Sequence, residues 1–412
     1  MNRALTLVVI GILMLVIDYY IEHASRPIRA RWTKRNQRLF TYFWWGWTAL
    51  LLVGVFGSIL LNARLAIRSV LLVAFFITFV SKLVYLPFLF LDEIRRVFIW
   101  LFRKARPAAE PVPGDRISRS EFLVKAGIAV AAIPLSSLSW GIVSGAYDYQ
   151  LVRRKLFLPD LPRAFEGMKI AQISDVHSGS FYDRKAVLGG IEMILGQKPD
   201  MIFFTGDLVN NIASEMKDYQ DLFSKLKAPL GTYSVLGNHD YGEYHFGKGP
   251  SAAKAKNLQD LIGTHKRMGW DLLMNENRRI RVGGEEIGVL GIENWGTGRF
   301  PKFGRLDEAV KDTDDLPVRL LLSHDPSHWR AQVLKEFPQI DAMFSGHTHG
   351  MQFGVKTEEF QWSPVQYVYD EWAGLYRENG QQLYVNVGYG FLGYPGRVGI
   401  LPEITIFELK QG

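Results

Sequence analysis

"DAMFSGHTHG", Asp341–Gly350, joins a short apolar run to a glycine-flanked turn that carries two histidines one residue apart. The chain has only nine histidines in 412 residues, so His347 and His349 concentrate imidazole in one place. A single His-x-His turn is ordinarily a hydrogen-bonded structural feature. Its meaning depends on whether other apolar runs of the chain end the same way.

Four others do. They end in "SDVH" (Ser174–His177), "GDLVN" (Gly206–Asn210), "GNHD" (Gly237–Asp240) and "SHD" (Ser323–Asp325). The runs "MKIAQIS", "MIFFTGD", "TYSVLGN", "IGVLGIE", "VRLLLSH", "DAMFSGH" and "LYVNVG" are short and rich in β-branched or aromatic residues, the mark of buried strands. Helical patterns at Arg184–Gln197 and Ser251–Met268 fall between them, which predicts a layered α/β or α+β domain. In such sheets ligands gather beyond the carboxyl ends of strands. The five motifs supply carboxylate, amide and imidazole groups there. The chain has no cysteine, which excludes disulfides, zinc–thiolate sites and thiol catalysis. Oxygen and imidazole donors without sulfur suit two ions such as Mn, Fe or Zn. Each motif alone is weak, but five in this order at five strand ends point to a metal site.

The run Asp175-x-His177, Gly206-Asp207, Gly237-Asn238-His239-Asp240, His324, Gly346-His347-x-His349 resembles the calcineurin-like metallophosphoesterases, over about Leu151 to the C-terminus. The entry "LPDLPRAFEGMKIAQISDVHSG" and the exit "QLYVNVGYGFLGYPGRVGILPEITIFEL" are similar to the bacterial membrane-associated phosphodiesterase branch. The resemblance implies a four-layer αββα sandwich with a dinuclear metal site. It implies that Asp175, His177 and His349 hold one ion, that Asn238, His324 and His347 hold the other, and that Asp207 bridges them. A hydroxide bridging the two ions would attack phosphorus in line. His239, held by Asp240, would be the general acid at the leaving group, and Arg397 a candidate phosphate contact. The chain departs from the branch at Met351, where a second glycine is usual, at Asn210, where Asp is usual, and at "NVGYG" (Asn386–Gly390), where Ser-Arg-Gly is usual. His328 reads as a capping or supporting residue, His245 as a solvated loop residue, and His23 and His265 as surface.

The first third reads differently. Ala4–Ile21, Phe40–Leu61, Val70–Leu91 and Phe122–Val143 are each long and apolar enough to cross a bilayer as a helix of roughly 20 residues. This predicts a membrane region of about four helices over residues 1–148 and a phosphoesterase domain over 149–412. Residues 22–39 carry Arg26, Arg29, Arg31, Lys34, Arg35 and Arg38. Residues 92–121 carry Arg95, Arg96, Arg103, Lys104, Arg106, Arg116 and Arg119, whereas the loop between the second and third runs carries only Arg64 and Arg68. By the positive-inside rule the two basic loops are cytoplasmic, which places everything after the fourth run outside, at a bacterial inner membrane. If the fourth run does not span, the domain faces the cytoplasm. "SRSEFLVKAG" (Ser118–Gly127) resembles a twin-arginine export signal with one arginine replaced by Ser120, which fits a signal-anchor. Ser144-Gly145-Ala146 has the small-x-small form of a cleavage site. Asp18 and Lys82 are ionisable residues within the runs: such charges point to function by default, but the favoured reading is that both lie near a membrane face, where Lys82 can snorkel; Gly141-x-x-x-Gly145 is a candidate helix-packing motif. "PAAEPVPGD" (Pro107–Asp115) is a proline-rich linker.

Charge agrees with this division. Residues 1–160 hold 21 Lys and Arg against 9 Asp and Glu, and the remainder 27 against 32. The acidic remainder lacks the basic footprint of a nucleic-acid binder. The leading expectation is a membrane-anchored phosphodiesterase acting on a lipid-linked or cell-envelope phosphoester, with the lipid bilayer as its surrounding. Two others stand beside it: a cytoplasm-facing pyrophosphatase of lipid-linked nucleotide sugars, and a membrane sensor that binds without turnover.

Overall fold

The computed structural model describes residues 3–60, 65–102, 119–300, 302–357 and 359–412. Leu61, Arg64, the basic residues Arg103, Lys104, Arg106 and Arg116 and the linker Pro107–Asp115 lie outside the described residues. The chain forms two compact units, Met1–Trp140 and Gly141–Gly412.

The first unit is helical. Arg3–Ala24, Lys34–Leu60, Leu65–Phe102 and the start of Arg119–Val143 carry the four apolar runs. Among the described residues, three helical segments are long and apolar enough to cross a membrane: Lys34–Ser58, Val70–Phe102 and Glu121–Val143. Pro134 does not interrupt its helix. Lys82 does not snorkel but turns inward to Asp18. Their side chains pair at 2.5 Å, Asp18 being fully buried and Lys82 7% exposed. Thr48 Oγ1 donates to the other Asp18 oxygen at 2.7 Å, and the Lys82 ammonium stands 4.8 Å from the centre of the Trp44 ring. Three helices thus share one closed polar cluster, which spares each charge the cost of facing hydrocarbon alone.

The first strand of the second unit is not among the apolar runs read from the sequence. This is β1 (Gln150–Leu158), whose Arg153, Arg154 and Lys155 are exposed. Then follow β2 (Lys169–Ile173), β3 (Met201–Phe204), β4 (Thr232–Ser234), β5 (Asp271–Leu272), β6 (Glu276–Val282) and β7 (Glu285–Gly291). The chain continues through β8 (Arg319–Leu322), β9 (Ala342–Ser345), a small hairpin of β10 (Val355–Lys356) and β11 (Gln361–Trp362), β12 (Gly374–Glu378), β13 (Gln381–Val385) and β14 (Glu403–Gln411). One six-stranded sheet has the order β1-β14-β2-β3-β4-β5, the other β12-β13-β9-β8-β7-β6. In each, the central strands run parallel (β2, β3 and β4; β7, β8 and β9), and the five that carry the motifs, all but β7, have their carboxyl ends on one edge of their sheet.

Strand alternation sorts the apolar side chains into layers. Ile170, Phe203 and Val235 of the first sheet meet Val289, Leu320, Leu322 and Phe344 of the second in a shared core. Ile202 and Phe204 point the other way, onto Val187, Ile191 and Ile194 of helix Arg184–Gly196 and Leu261 of helix Ala252–Met268. Leu321 and Met343 meet Trp329, Val333 and Leu306 outside the second sheet. The result is the αββα sandwich.

Gly141 and Gly145 serve a different purpose from helix pairing. A side chain at either would collide with the backbone of Arg397, and the Gly141 carbonyl accepts from Arg397 N at 3.1 Å. Gly145 and Ala146 are buried in a 3-10 turn.

Candidate metal centre

Five short turns carry the chemistry, and their backbones are unusual. Asp175, His177, Asp207, His347 and His349 all have positive φ, between 46° and 74°. Non-glycine residues pay for this region, and such residues cluster at functional sites. The flanking glycines therefore do not make every turn themselves. A Cβ at Gly346 would collide with Ser174 Oγ and Asp175 Oδ2, so Gly346 permits a close approach, while the bend falls on the histidines.

The turns bring six side chains into two groups: Asp175, His177 and His349, and Asp207, His324 and His347. Within the first, His177 Nε2 faces His349 Nε2 at 3.0 Å, and His349 Nε2 lies 3.2 Å from Asp175 Oδ1. Within the second, His324 Nε2 is 3.2 Å from Asp207 Oδ2 and 3.3 Å from His347 Nδ1. Asp207 Oδ2 also lies 3.6 Å from His177 Nε2, which puts this oxygen between the groups. Asn238 Oδ1 is buried beside them without a hydrogen-bond partner among the described residues.

The electrostatics fit cations. Burial works against charge on Asp175 and Asp207, but neighbouring imidazoles outweigh it and hold both carboxyls well below their usual range. Burial opposes protonation of His324 as well, yet the Asp207 charge prevails and raises it to about 10. His177, where burial dominates, falls to about 3. Two buried carboxylates thus draw positive charge onto whichever imidazole can carry it. Divalent ions would supply that charge, release the proton, and take the facing nitrogen lone pairs and the orphaned Asn238 oxygen.

The supports differ from what the motifs suggested. Asp240 does not touch the His239 ring through any described hydrogen bond. Its carboxylate accepts from the backbone N–H groups of Asp207, Leu208, Val209 and Gly237 at 2.9–3.2 Å, and so holds the Asp207 turn. Burial and the Asp207 charge push its carboxyl up to about 7. His239 is oriented instead by the Asn210 carbonyl, 2.6 Å from its Nδ1. That acceptor fixes the proton of the neutral ring on Nδ1 and leaves Nε2 free. Tyr244, half exposed, stacks on the same ring at 4.5 Å. The side chain of Asn210 bonds Ser180 Oγ at 2.9 Å.

Arg397 is turned onto the backbone rather than out toward solvent. It is 1% exposed, and its guanidinium donates to the carbonyls of Val387, Gly390 and Ile400, and reaches His349 Nδ1 at 3.4 Å. It braces the loop behind His349. The "NVGYG" segment lies next to it, with Tyr389 N and Gly390 N donating to the carbonyls of Ser174 and Asp175. Behind the second group, His324 Nδ1 bonds the Thr205 carbonyl at 2.8 Å, and His347 Nε2 bonds Tyr369 Oη at 2.8 Å. Asp325, fully buried, places a carboxylate oxygen 3.7 Å from the same His347 nitrogen. Tyr244 and Tyr369 lie outside the five motifs, and Asn210 acts through its backbone carbonyl, so none of the three carried a signal in the motifs.

The remaining histidines lie apart. His328 is buried between Ser323 Oγ and Gln332 Oε1, a supporting place. His265 is not at the surface: it is fully buried, 2.9 Å from Ser234 Oγ, and burial lowers it to about 3. His23 and His245 are exposed.

An αββα sandwich with paired His/Asp groups at its strand ends defines a metallohydrolase. Comparison with known proteins narrows the class. A calcineurin-like phosphoesterase family profile matches residues 168–351, and one described as "Probable Calcineurin-like phosphoesterase, transmembrane domain" matches residues 2–146. The phosphodiesterase YaeI of Escherichia coli is 30% identical over 301 residues, 71% of this chain and 99% of that one. The metallophosphoesterase YkuE of Bacillus subtilis is 31% identical over 256 residues, 61% of this chain and 82% of that one. A transmembrane protein with a metallophosphoesterase domain from Danio rerio is 28% identical over 320 residues, 76% and 67% of the two chains. The chain belongs to the calcineurin-like metallophosphoesterases, as a membrane protein and a hydrolase of phosphoester bonds.

Proposed function

We propose that residues 149–412 form a phosphodiesterase domain held at a bacterial inner membrane by residues 1–148, on the outer side of that membrane. The observation that carries the chemical part is the Asp207 oxygen standing between two sets of facing ligand atoms. Asp175, His177 and His349 would hold one divalent ion, Asn238, His324 and His347 the other, with Asp207 shared; Mn, Fe and Zn all suit these donors. Bound there, the ions would supply hydroxide from water at neutral pH and neutralise charge on the phosphoryl oxygens.

The chain's own residues do the rest. His239 stands at the edge of both groups, half buried. With Nδ1 committed to the Asn210 carbonyl, its imidazolium offers the Nε2 proton to the departing oxygen. Asp240 acts one step back, keeping Asp207 in its left-handed turn. The diester preference draws on the similarity to YaeI, a phosphodiesterase by name, and the lipid-linked or cell-envelope substrate on the membrane region. The outward orientation draws on the basic loops.

His239→Ala should lower kcat for an aryl phosphodiester by roughly 10²–10⁴-fold while bound metal stays at the wild-type level. Unchanged kcat would remove His239 from the reaction. A reporter active only in the cytoplasm, fused after Gly412, should be silent; activity would reverse the orientation.

A further inference from the structure

The segment 351–368 follows the metal-ligating turn directly, and it is unusually apolar on its outside. Met351, Phe353, Val355, Phe360, Tyr367 and Val368 are all exposed, Tyr367 to 77% and Val368 to 69%. Elsewhere in the unit exposed apolar side chains such as Phe157 and Met193 are scattered, as is normal for a surface. Six within eighteen residues are not scattered. A large apolar side chain carries roughly 150–250 Å², so half exposure of these six leaves an apolar surface of several hundred Å². Patches of that size mark interaction sites.

The lobe does not need these side chains to fold. It has its own inner core, made by Val365, Trp372, Ala373, Val387 and Ile400. It is also stitched to the metal centre at both ends. Ser363 Oγ donates to the Gly350 carbonyl at 2.7 Å, next to His349. Tyr369, immediately after Val368, bonds His347 Nε2. An apolar group resting on this lobe would lie within a few residues of the ligands of both ions. The one lysine of the hairpin, Lys356, is paired with Glu403, so the lobe offers no free cation to an anionic headgroup. Thr357, Glu359 and Gln361 are exposed at its hairpin, and the rest of its described exposed side chains are apolar or aromatic. A domain joined to membrane-crossing helices works within reach of a bilayer, where hydrocarbon attached to phosphate is abundant.

We infer that the 351–368 lobe receives the hydrocarbon tail of the phosphoester whose phosphorus lies at the metal centre. This rests on the phosphodiesterase reading above and adds a substrate class to it: a phosphodiester with a long alkyl, acyl or isoprenoid chain.

Two substrates with one leaving group test it: p-nitrophenyl hexadecyl phosphate and p-nitrophenyl methyl phosphate. In each, water adds to phosphorus and the bond to the nitrophenyl oxygen breaks, giving p-nitrophenol and the alkyl phosphate. The full chain, in detergent micelles with added Mn²⁺, should favour the hexadecyl ester in kcat/KM by roughly tenfold or more, given the tail's apolar area. Met351→Gln/Tyr367→Ser/Val368→Ser, checked for wild-type metal content and melting midpoint, should lower that ratio by roughly tenfold. Phe157→Ser, at an exposed apolar site away from the lobe, should keep it. A variant ratio equal to wild type would mean that the micelle alone concentrates the ester, and would overturn the inference. So would a wild type indifferent to the tail, which would leave the lobe to a protein partner and the phosphodiesterase reading intact. Hydrolysis of neither ester would overturn that reading itself.

Discussion

Asp18 and Asp207 are both carboxylates with 2% exposure or less, and they sit in opposite kinds of cluster. Asp18 is closed: Lys82 meets one oxygen, Thr48 the other, and Trp44 covers the ammonium. Asp207 is open. Its neighbours are imidazoles that turn lone-pair nitrogens toward the same small space, beside an amide oxygen with no donor among the described residues. A closed cluster compensates its own charge and serves architecture. An open one is complete only with something added. The backbone tells the same story, since the ligand turns hold left-handed residues and the helices around Asp18 are regular.

The largest effect should come from the open cluster. Asp207→Ala removes the oxygen common to both groups, and should lower phosphodiesterase activity on the order of a thousandfold or more with loss of bound metal. The anchoring N–H of residue 207 to Asp240 survives in this variant, so the fold should persist. Metal content by elemental analysis and circular dichroism decide the matter. An unfolded variant would erase the distinction between the clusters.

The closed cluster should fail in the other way. Lys82→Met leaves a buried carboxylate without its cation, and should destabilise the full chain in micelles by about 3–5 kcal/mol. Pairing it with Asp18→Leu should recover most of that loss, because a buried ion pair replaced by apolar groups is often nearly neutral. Metal binding by the folded fraction should not change in either. A double variant as unstable as the single one would show that the pair does more than cancel itself.

The two clusters were not equally legible. The seven strands read from the sequence, five of them ending in a motif, stand out because most lie in sheets covered on both faces, and so read as unbroken apolar runs. β1 does not, since Arg153, Arg154 and Lys155 face solvent along a sheet edge. The ligand set is spelled out at its own positions. What holds it is not: Asp240 next to His239 looked like its partner but serves the Asp207 turn, and Arg397 looked like an open cation but is spent on carbonyls. Asp18 and Lys82, 64 positions apart in sequence, read as two lone charges because pairing between helices leaves no local pattern.

The smallest effect tests where the open cluster is closed from behind. His324 and His347 present one nitrogen forward, toward the ion positions, and anchor the other on the Thr205 carbonyl and Tyr369 Oη. His177 is an exception, its rear Nδ1 having no hydrogen-bond partner among the described residues. Partners of this kind fix the ring and its tautomer, and removing one typically weakens metal affinity by about 10–100-fold. Tyr369→Phe keeps the ring and deletes only the hydroxyl. Asp325, 3.7 Å from the same nitrogen, can take over part of its role, so the loss should lie near the lower figure. A metal titration should show one of two ions weakened about tenfold, and the other, at Asp175, His177 and His349, unchanged. Equal weakening of both would mean that Tyr369 shapes the whole site through its lobe rather than His347 alone.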